Sequence, residues 1–290
     1  MSNYVIMTDS SCDLTHAMAE ELGLHVIPLT VNSPKGDFRN FLDHHEVAVE
    51  TFYGYLRAGD MCKTSAANTA TFTEEMEGYL EAGKDILYLG FSSGLSGTFS
   101  AGAIAAQELS EKYPERKIYA VDTLCASMGQ GMIVYQAAKK AQAGASIDEV
   151  RDWVEANKMN VAHWITVDDL QHLKRGGRVS ATTAVVGTML KIKPVLRVDE
   201  EGKLETMEKA RGRKSALNYL VDKVGEHAID IAEQEMFISH GDCLADAEYV
   251  AAKVKERYGV KQVYINYIGP VIGAHAGPGT VAVFWMATQR

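Results

Sequence analysis

An α/β fold in two domains is predicted for this 290-residue chain, on three observations. Short apolar runs alternate with helix-length segments through about residue 145, the rhythm of a largely parallel sheet with flanking helices. After residue 160 the rhythm changes. Leu190-Lys191-Ile192-Lys193 and, more loosely, GKLETMEKA alternate apolar with polar residues, as strands with one wet face do. This predicts a mixed or antiparallel second sheet with its own helices. The length supplies ample core for two ordinary domains. The division is placed at 1–160 and 161–290, although no Pro/Ser-rich linker marks it.

Tyr4-Val5-Ile6-Met7 is the first strand, stopped by the turn-formers of TDSSCD. A helix over Leu14 to Leu22 closes at Gly23. His25 to Val31 is a second strand, in which Pro28 favours an edge position or a bulge. Helices are expected over Val47 to Ala58 and Thr73 to Ala82, then a strand over Ile86 to Leu89. The segment GFSSGLSGT leads from that strand into an Ala-rich helix. Lys117 to Val121 and Ser127 to Ala143 give another strand and helix. In the second half, strands are expected at Trp164 to Val167, within LKIKPVLRV, at Met236 to Ser239 and at Gln262 to Ile268. Helices are expected from Ser215 to about Ala232 and from Ala245 to Tyr258. IGPVIGAHAGPGT reads as a late loop segment.

Composition narrows the function. Hydrophobic residues make up 47% and charged residues 23%, the balance of a globular protein, and the net charge is −9. An acidic chain has no general electrostatic reason to bind nucleic acid. Cys12, Cys62, Cys125 and Cys243 are far apart and form no CxxC pair, which argues against a zinc knuckle or a disulfide framework. No window approaches the ~18 apolar residues of a membrane span, and the N-terminal apolar run is too short for a secretory core. A cytoplasmic protein is expected.

Four segments collect small hydroxylated residues: Thr8-Asp9-Ser10-Ser11, Lys63-Thr64-Ser65, Ser92 to Thr98, and IGPVIGAHAGPGT. In an open α/β sheet, ligands bind beyond the carboxyl ends of the strands, where such loops converge. The helix after Gly97 would point free amides and its positive end at that crevice. Neither GxxxxGK[ST] nor GxGxxG occurs, and GLSGT has threonine where a nucleophile elbow needs its second glycine. Hydroxyl and amide donors without a lysine suit a singly charged carboxylate better than a polyphosphate. N-capping and tight turns are the bland account of the same residues. His275, framed by small residues, is a poor candidate for core filler. Ser96 and His275 with Asp9 or Asp122 keep a serine hydrolase or esterase open. Asp43-His44-His45 resembles the motif of metal-dependent phosphoesterases, but it lies in a polar loop without further ligands, so no metal is assigned. LKRGGR, residues 173–178, is the densest basic cluster, and Arg211-Gly212-Arg213-Lys214 is the next. Each is either solvated surface or a docking surface for a phosphorylated ligand or acidic partner.

Taken in order, TDSSCDL, KTSAAN, FSSGLSGTFSA, LQHLKRGGRVS, LKIKPVLRV, KARGRKSAL and GPVIGAHAGPGT resemble the DegV family of bacterial fatty-acid-binding proteins, over nearly the whole chain. The resemblance implies a two-domain carrier, not itself an enzyme, with one long-chain fatty acid buried between the domains and no other cofactor. It implies carboxylate contacts from Thr64 and Ser65, from Ser96 and the Gly97 amide, and from His275. It also implies a partner, an ATP-dependent fatty acid kinase that forms the acyl phosphate, met by Arg178 and more weakly by Arg211. A transient contact with a membrane surface goes with such a carrier. Two departures stand out. Ser65 is followed by Ala66-Ala67-Asn68 where the family commonly has Gln-Pro-Ser, and Ala276 follows His275 where a hydroxyl residue is common.

Overall fold

β1, Tyr4–Asp9, is buried at all six positions, and its place in the structure explains why the run is apolar on both faces. The structure, a computed structural model, describes residues 3–168, 170–179 and 192–290. In it β1 is an inner strand of a four-stranded parallel sheet ordered β2-β1-β6-β7, with β2 at His25–Ile27, β6 at Asp85–Gly90 and β7 at Ile118–Asp122. Parallel strands covered on both faces need no polar alternation. Helices α3 (Thr69–Glu81) and α4 (Thr98–Lys112) pack on one face through Phe72, Met76, Ala105 and Leu109.

The strand expected over His25 to Val31 is two strands in two sheets. Pro28 has no N–H to give to a ladder, and the chain changes sheet there. β2 pairs in parallel with β1, while β3 (Leu29–Asn32) pairs antiparallel with β4 (Phe38–Asn40) and β5 (Lys63–Ser65). This small sheet, absent from the expected elements, carries Thr64. Helix α1 spans His16–Leu22, two residues later than expected, because Thr15 Oγ1 caps it by accepting from Met18 N at 3.2 Å. Asn68 caps α3 in the same way, accepting from Thr71 N at 2.9 Å, so that helix begins earlier than Thr73. Helix α2 spans Val49–Arg57.

The second sheet has six strands in the order β10-β9-β8-β13-β11-β12. They are β8 (Val161–Thr166), β9 (Ile192–Val198), β10 (Leu204–Arg211), β11 (Glu235–His240), β12 (Gln262–Tyr267) and β13 (Val281–Met286). β11 and β12 run parallel and the other pairings are antiparallel, so the sheet is mixed, as expected. Leu190 and Lys191 of the expected alternation, and Ser180 of the basic-loop motif, lie outside the described residues. Helices α8 (Arg213–His227) and α9 (Leu244–Tyr258) cover one face through Leu217, Leu220, Val250 and Val254.

Between the sheets lies α5, Met128–Gln142. Met132, Ile133 and Val134 meet Leu87 and Val121 of the first sheet and Phe237 and Phe284 of the second in one cluster. The first eleven residues of α5 are buried apart from the half-buried Gln136, so they carry no solvent face, and Lys139 and Gln142 reach solvent only in the last turn. α6 (Ile147–Asn157) leads into β8 and begins with a capping box, Ser146 and Glu149 exchanging side chain and backbone bonds. Two further short helices, α7 (Gln171–Arg175) and α10 (Pro270–Ala276), flank the seam between the sheets. Among the described residues, no helix is long and apolar enough to cross a membrane.

The tip of the β9–β10 hairpin seats on the Ser92–Thr98 loop. Ser92 Oγ donates to the Gly202 carbonyl at 2.7 Å, and a Cβ on Gly94 would stand 2.5 Å from the Glu201 carbonyl oxygen. Gly94→Ala must therefore push backbone away, and urea unfolding should show a loss of about 1–3 kcal/mol. Gly78→Ala, in open space within α3, should instead gain about 0.5–1 kcal/mol. Equal effects at the two sites would contradict this close contact.

Candidate functional site

The order β2-β1-β6-β7 makes the chain turn in opposite directions after β1 and after β6, and the crevice of such a sheet opens between those two loops. Asp9, fully buried at the end of β1, ties them together. Its Oδ1 accepts from Ser11 N at 3.0 Å, and its Oδ2 accepts from Phe91 N at 3.2 Å and from the Gln130 amide at 3.3 Å. Burial raises the Asp9 pKa against these donors.

Beyond the crevice lies a cavity of about 310 Å³ between the two sheets. Its walls are largely apolar, with Leu29, Phe91, Leu95, Ile165, Leu196 and Phe284 among them. Thr64, Ser65, Ser96, Gly97, Arg178 and His275 all line it as well, so six of the positions singled out in the sequence come to one place. Thr64 and His275 are 211 residues apart in the chain, yet Thr64 Oγ1 and His275 Nε2 lie 2.7 Å apart. Ser96 Oγ accepts from Thr98 N at 3.2 Å and lies 3.0 Å from Thr98 Oγ1, at the entry to α4.

His275 rides on α10, a short helix reached from the second sheet but packed on the first half of the chain. Val271 and Ala274 join Val31, Phe38, Phe52, Tyr53 and Leu56 in one apolar cluster. A Cβ on Gly273 would stand 2.7 Å from Tyr53 Oη, so glycine is what lets α10 approach. On its other side the ring faces Gly176, where a Cβ would stand 2.3 Å from His275 Nδ1. Burial, with the nearby Arg178 charge, lowers the His275 pKa to about 4, so the imidazole is neutral at neutral pH.

Arg178 donates from Nε to the Leu95 carbonyl at 3.1 Å and from a terminal nitrogen to the Gly176 carbonyl. Its guanidinium is half-buried, and burial lowers its pKa. Among the described residues no carboxylate pairs with it, and its bonds there go to two backbone carbonyls.

Other expected residues are placed differently. Ser65 follows Thr64 on β5, and its Oγ donates to Asn32 Oδ1 at 2.8 Å, away from Thr64. Arg211 is exposed at the end of β10 and outside the cavity lining. The arrangement gives the hydrolase reading no support. His275 Nε2 is engaged by Thr64, Asp9 is committed to the two loops, and Asp122 accepts from Ser93 N at 3.3 Å and Leu124 N at 3.0 Å. Asp43 Oδ1 meets His45 Nδ1 at 2.6 Å in an exposed loop. No group of three or more metal-ligating residues occurs among the described residues. Asp13 and Ser127, neither of them singled out in the sequence reading, are also part of the cavity surroundings. Ser127 lines it, and its Oγ donates to the buried Asp13 carboxylate at 2.6 Å.

Comparison with known proteins identifies the family. The profile described as "Uncharacterised protein, DegV family" matches residues 3–288. This chain belongs to the DegV family. A DegV domain-containing protein of Clostridium perfringens is 45% identical over 290 residues, covering 100% of this chain and 99% of that one. Among solved structures, a DegV lipid-binding protein of Thermotoga maritima superposes with a TM-score of 0.87 at 29% identity, covering 100% of both chains. A DegV family protein of Thermus thermophilus, described as binding fatty acid, gives a TM-score of 0.85 at 29% identity over 98% of this chain and 99% of that one. The two-domain α/β architecture, with one parallel and one mixed sheet, is thus the DegV fold.

The half-buried histidine gives the site a pH signature. In the unfolded chain its pKa is near 6.5, and in the folded chain it falls to about 4. Between these values the unfolded state binds the extra proton, so the histidine's contribution to stability is complete above pH 6.5 and declines as pH falls toward 4. The difference in unfolding free energy between the native protein and His275→Gln should shrink by on the order of 3 kcal/mol from pH 7 to pH 4. His163, buried and shifted in the same direction, is present in both proteins and cancels. A difference that stays constant over this range would contradict a half-buried, neutral His275.

Proposed function

We propose that this DegV family protein is a carrier that buries one long-chain fatty acid in the cavity between its sheets and does no chemistry on it. The observation that carries the reading is the half-buried Arg178, unpaired with any carboxylate among the described residues, beside a neutral histidine and two hydroxyls at one corner of a largely apolar space. Such a corner offers hydrogen bonds and a positive charge to a single anion, and the remaining walls are largely apolar, with Ser11, Ser127, His163 and Thr280 among the exceptions. The fatty acids described for its Thermus relative are of that shape and chemistry.

In this reading Thr64 Oγ1, Ser96 Oγ and the Gly97 amide donate to the carboxylate, and the single N–H of neutral His275, on Nε2, donates to Thr64 Oγ1 and so aims that hydroxyl at the ligand. Ser65 lines the mouth and steadies β5 through Asn32. Arg178 meets the negative end of the bound acid, or the phosphate once a partner fatty acid kinase has made the acyl phosphate. Arg211, exposed outside the cavity, belongs to the surface offered to that kinase. The acid is the only ligand the reading requires. A cytoplasmic setting, with brief contact at a membrane surface for loading, completes it. The division into domains 1–160 and 161–290 is part of the same reading, supported by β7 ending at Asp122 and the six-stranded sheet beginning at Val161.

Magnitudes decide where affinity comes from. At ~25 cal/mol per Å² of apolar surface removed from water, a buried acyl chain contributes on the order of 10 kcal/mol before binding costs. A hydrogen bond to a charged group adds about 1.5–3 kcal/mol. The tail therefore supplies strength and the polar corner orientation.

Binding of a saturated acid series tests this. Ser96→Ala or His275→Ala should weaken sixteen-carbon acid binding by about tenfold. Shortening the acid from sixteen to twelve carbons removes about 0.8 kcal/mol per methylene and should weaken it by roughly 200-fold. Unchanged affinity in both variants, or indifference to chain length, would defeat the reading. So would labelling of Ser96 by a fluorophosphonate, since a passive hydroxyl does not react.

A further inference from the structure

We infer that Asp13 is a positioning residue for the polar corner: its buried carboxyl fixes the start of α10 and the cavity-lining Ser127 against the end of β1, and so sets where His275 stands. This rests on the carrier reading for what His275 does.

Asp13 is 3% exposed and, among the described residues, has no cationic partner. Burial raises its pKa to about 7. A carboxyl in such a place is costly compared with an apolar residue, and its contacts show what it holds. Oδ1 accepts from Gly269 N at 2.9 Å, and Gly269 is the residue that begins α10. Oδ2 accepts from Ser127 Oγ at 2.6 Å, and that hydroxyl lies 2.8 Å from Ser239 Oγ of β11. The Asp13 carbonyl accepts from the Asn266 side chain of β12 at 2.9 Å. One residue of the first half of the chain thus gathers two strands and a helix start of the second half with the entry to α5.

The backbone at this junction is held where side chains are uncommon. Asp13 has φ +51° and Ser127 has φ +53°, both in the left-handed half of the map. Conformations of this kind persist where surrounding bonds over-determine them, and they gather at ligand clamps. Gly269 fits the carboxyl so closely that a Cβ there would stand 2.8 Å from Asp13 Oδ1 and 3.0 Å from Asn40 Nδ2.

The link from Asp13 to the ligand corner is mechanical. His275 lies six steps along the chain from Gly269, and at about 1.5 Å of rise per residue that stretch of α10 is a rod of roughly 9 Å. Its far end carries the imidazole that meets Thr64 at 2.7 Å. A displacement of the near end is carried along the rod and breaks that bond, because the distance leaves no slack. Asp13 touches neither Thr64 nor His275, so its effect on the ligand passes through α10.

A double-mutant cycle in the full chain tests this, with cis-parinaric acid as a fluorescent fatty-acid probe. Asp13→Ala is expected to weaken probe binding by tenfold or more in the native background and by less than threefold when His275 is already alanine. Asp13→Asn, which keeps an acceptor for Gly269 N and can donate to Ser127, should bind within about threefold of the native protein. Gly269→Ala, which leaves Asp13 intact and pushes α10 off it, should reproduce the loss and its dependence on His275. That variant carries the test if Asp13→Ala does not fold. Equal losses with and without His275, or no loss, overturn the inference and leave the carrier reading standing. Probe binding that is unchanged by His275→Ala alone overturns the inference, and binding that is unchanged by Ser96→Ala as well overturns both.

Discussion

The structure depends on one packing constraint: a short helix from the second half of the chain must be buried in the first. α10 places Val271 and Ala274 among Phe52, Tyr53 and Val31, and Tyr53 Oη donates to the Ile268 carbonyl at 2.8 Å. Without that crossing, Thr64 on the small three-stranded sheet and His275 on α10 would belong to separate bodies. With it they lie within a hydrogen bond of each other, and the cavity between the sheets acquires a polar corner. Glycine at 273 is the local condition, since any side chain there would strike the Tyr53 ring. Apolar burial brings the pieces together, and the polar groups then decide what the space can hold.

The electrostatics of the corner follow from its burial. His275 is neutral because its surroundings and Arg178 both oppose a proton. Arg178 stays half-buried because two backbone carbonyls share its charge. A neutral histidine beside a fixed cation favours an anion that brings its own charge, and it does so without the lysines that would draw a polyphosphate. The hydroxyls of Thr64 and Ser96 add direction. Apolar walls such as Leu29, Leu196 and Phe284 leave the rest of the space to hydrocarbon.

Much of this was legible in the sequence, and the exceptions have physical reasons. The alternation of strand and helix before residue 145 gives the parallel sheet because each run is covered on both faces. Pro28 marked a disruption, but only tertiary structure shows that the chain changes sheet there. α6 carried its own signal, Ser146 followed by Glu149. β13, an unbroken apolar run after a glycine-rich stretch, has no period to identify it, because it is an inner strand of the six-stranded sheet. α10 was hidden by its glycines, although Pro270 at its first position is a helix-start signal. Thr64, Ser96, Gly97 and His275 were singled out on segments expected to converge beyond the strand ends, whereas Arg178 joined them only through the family resemblance. Arg211 followed from the same resemblance and lies outside the cavity. Asp13 went unremarked because a turn-forming aspartate after a strand is ordinary, and its burial at a junction is visible only in three dimensions.

The central claim is that the space between the sheets exists to hold one acyl chain. Native mass spectrometry of the protein purified from its producing cells, with the organic-solvent extract identified in parallel, tests it most directly. The account predicts a single added mass per chain that proves to be a long-chain fatty acid and is restored when the stripped protein is incubated with one. A chain that carries no such acid and takes none up would contradict it.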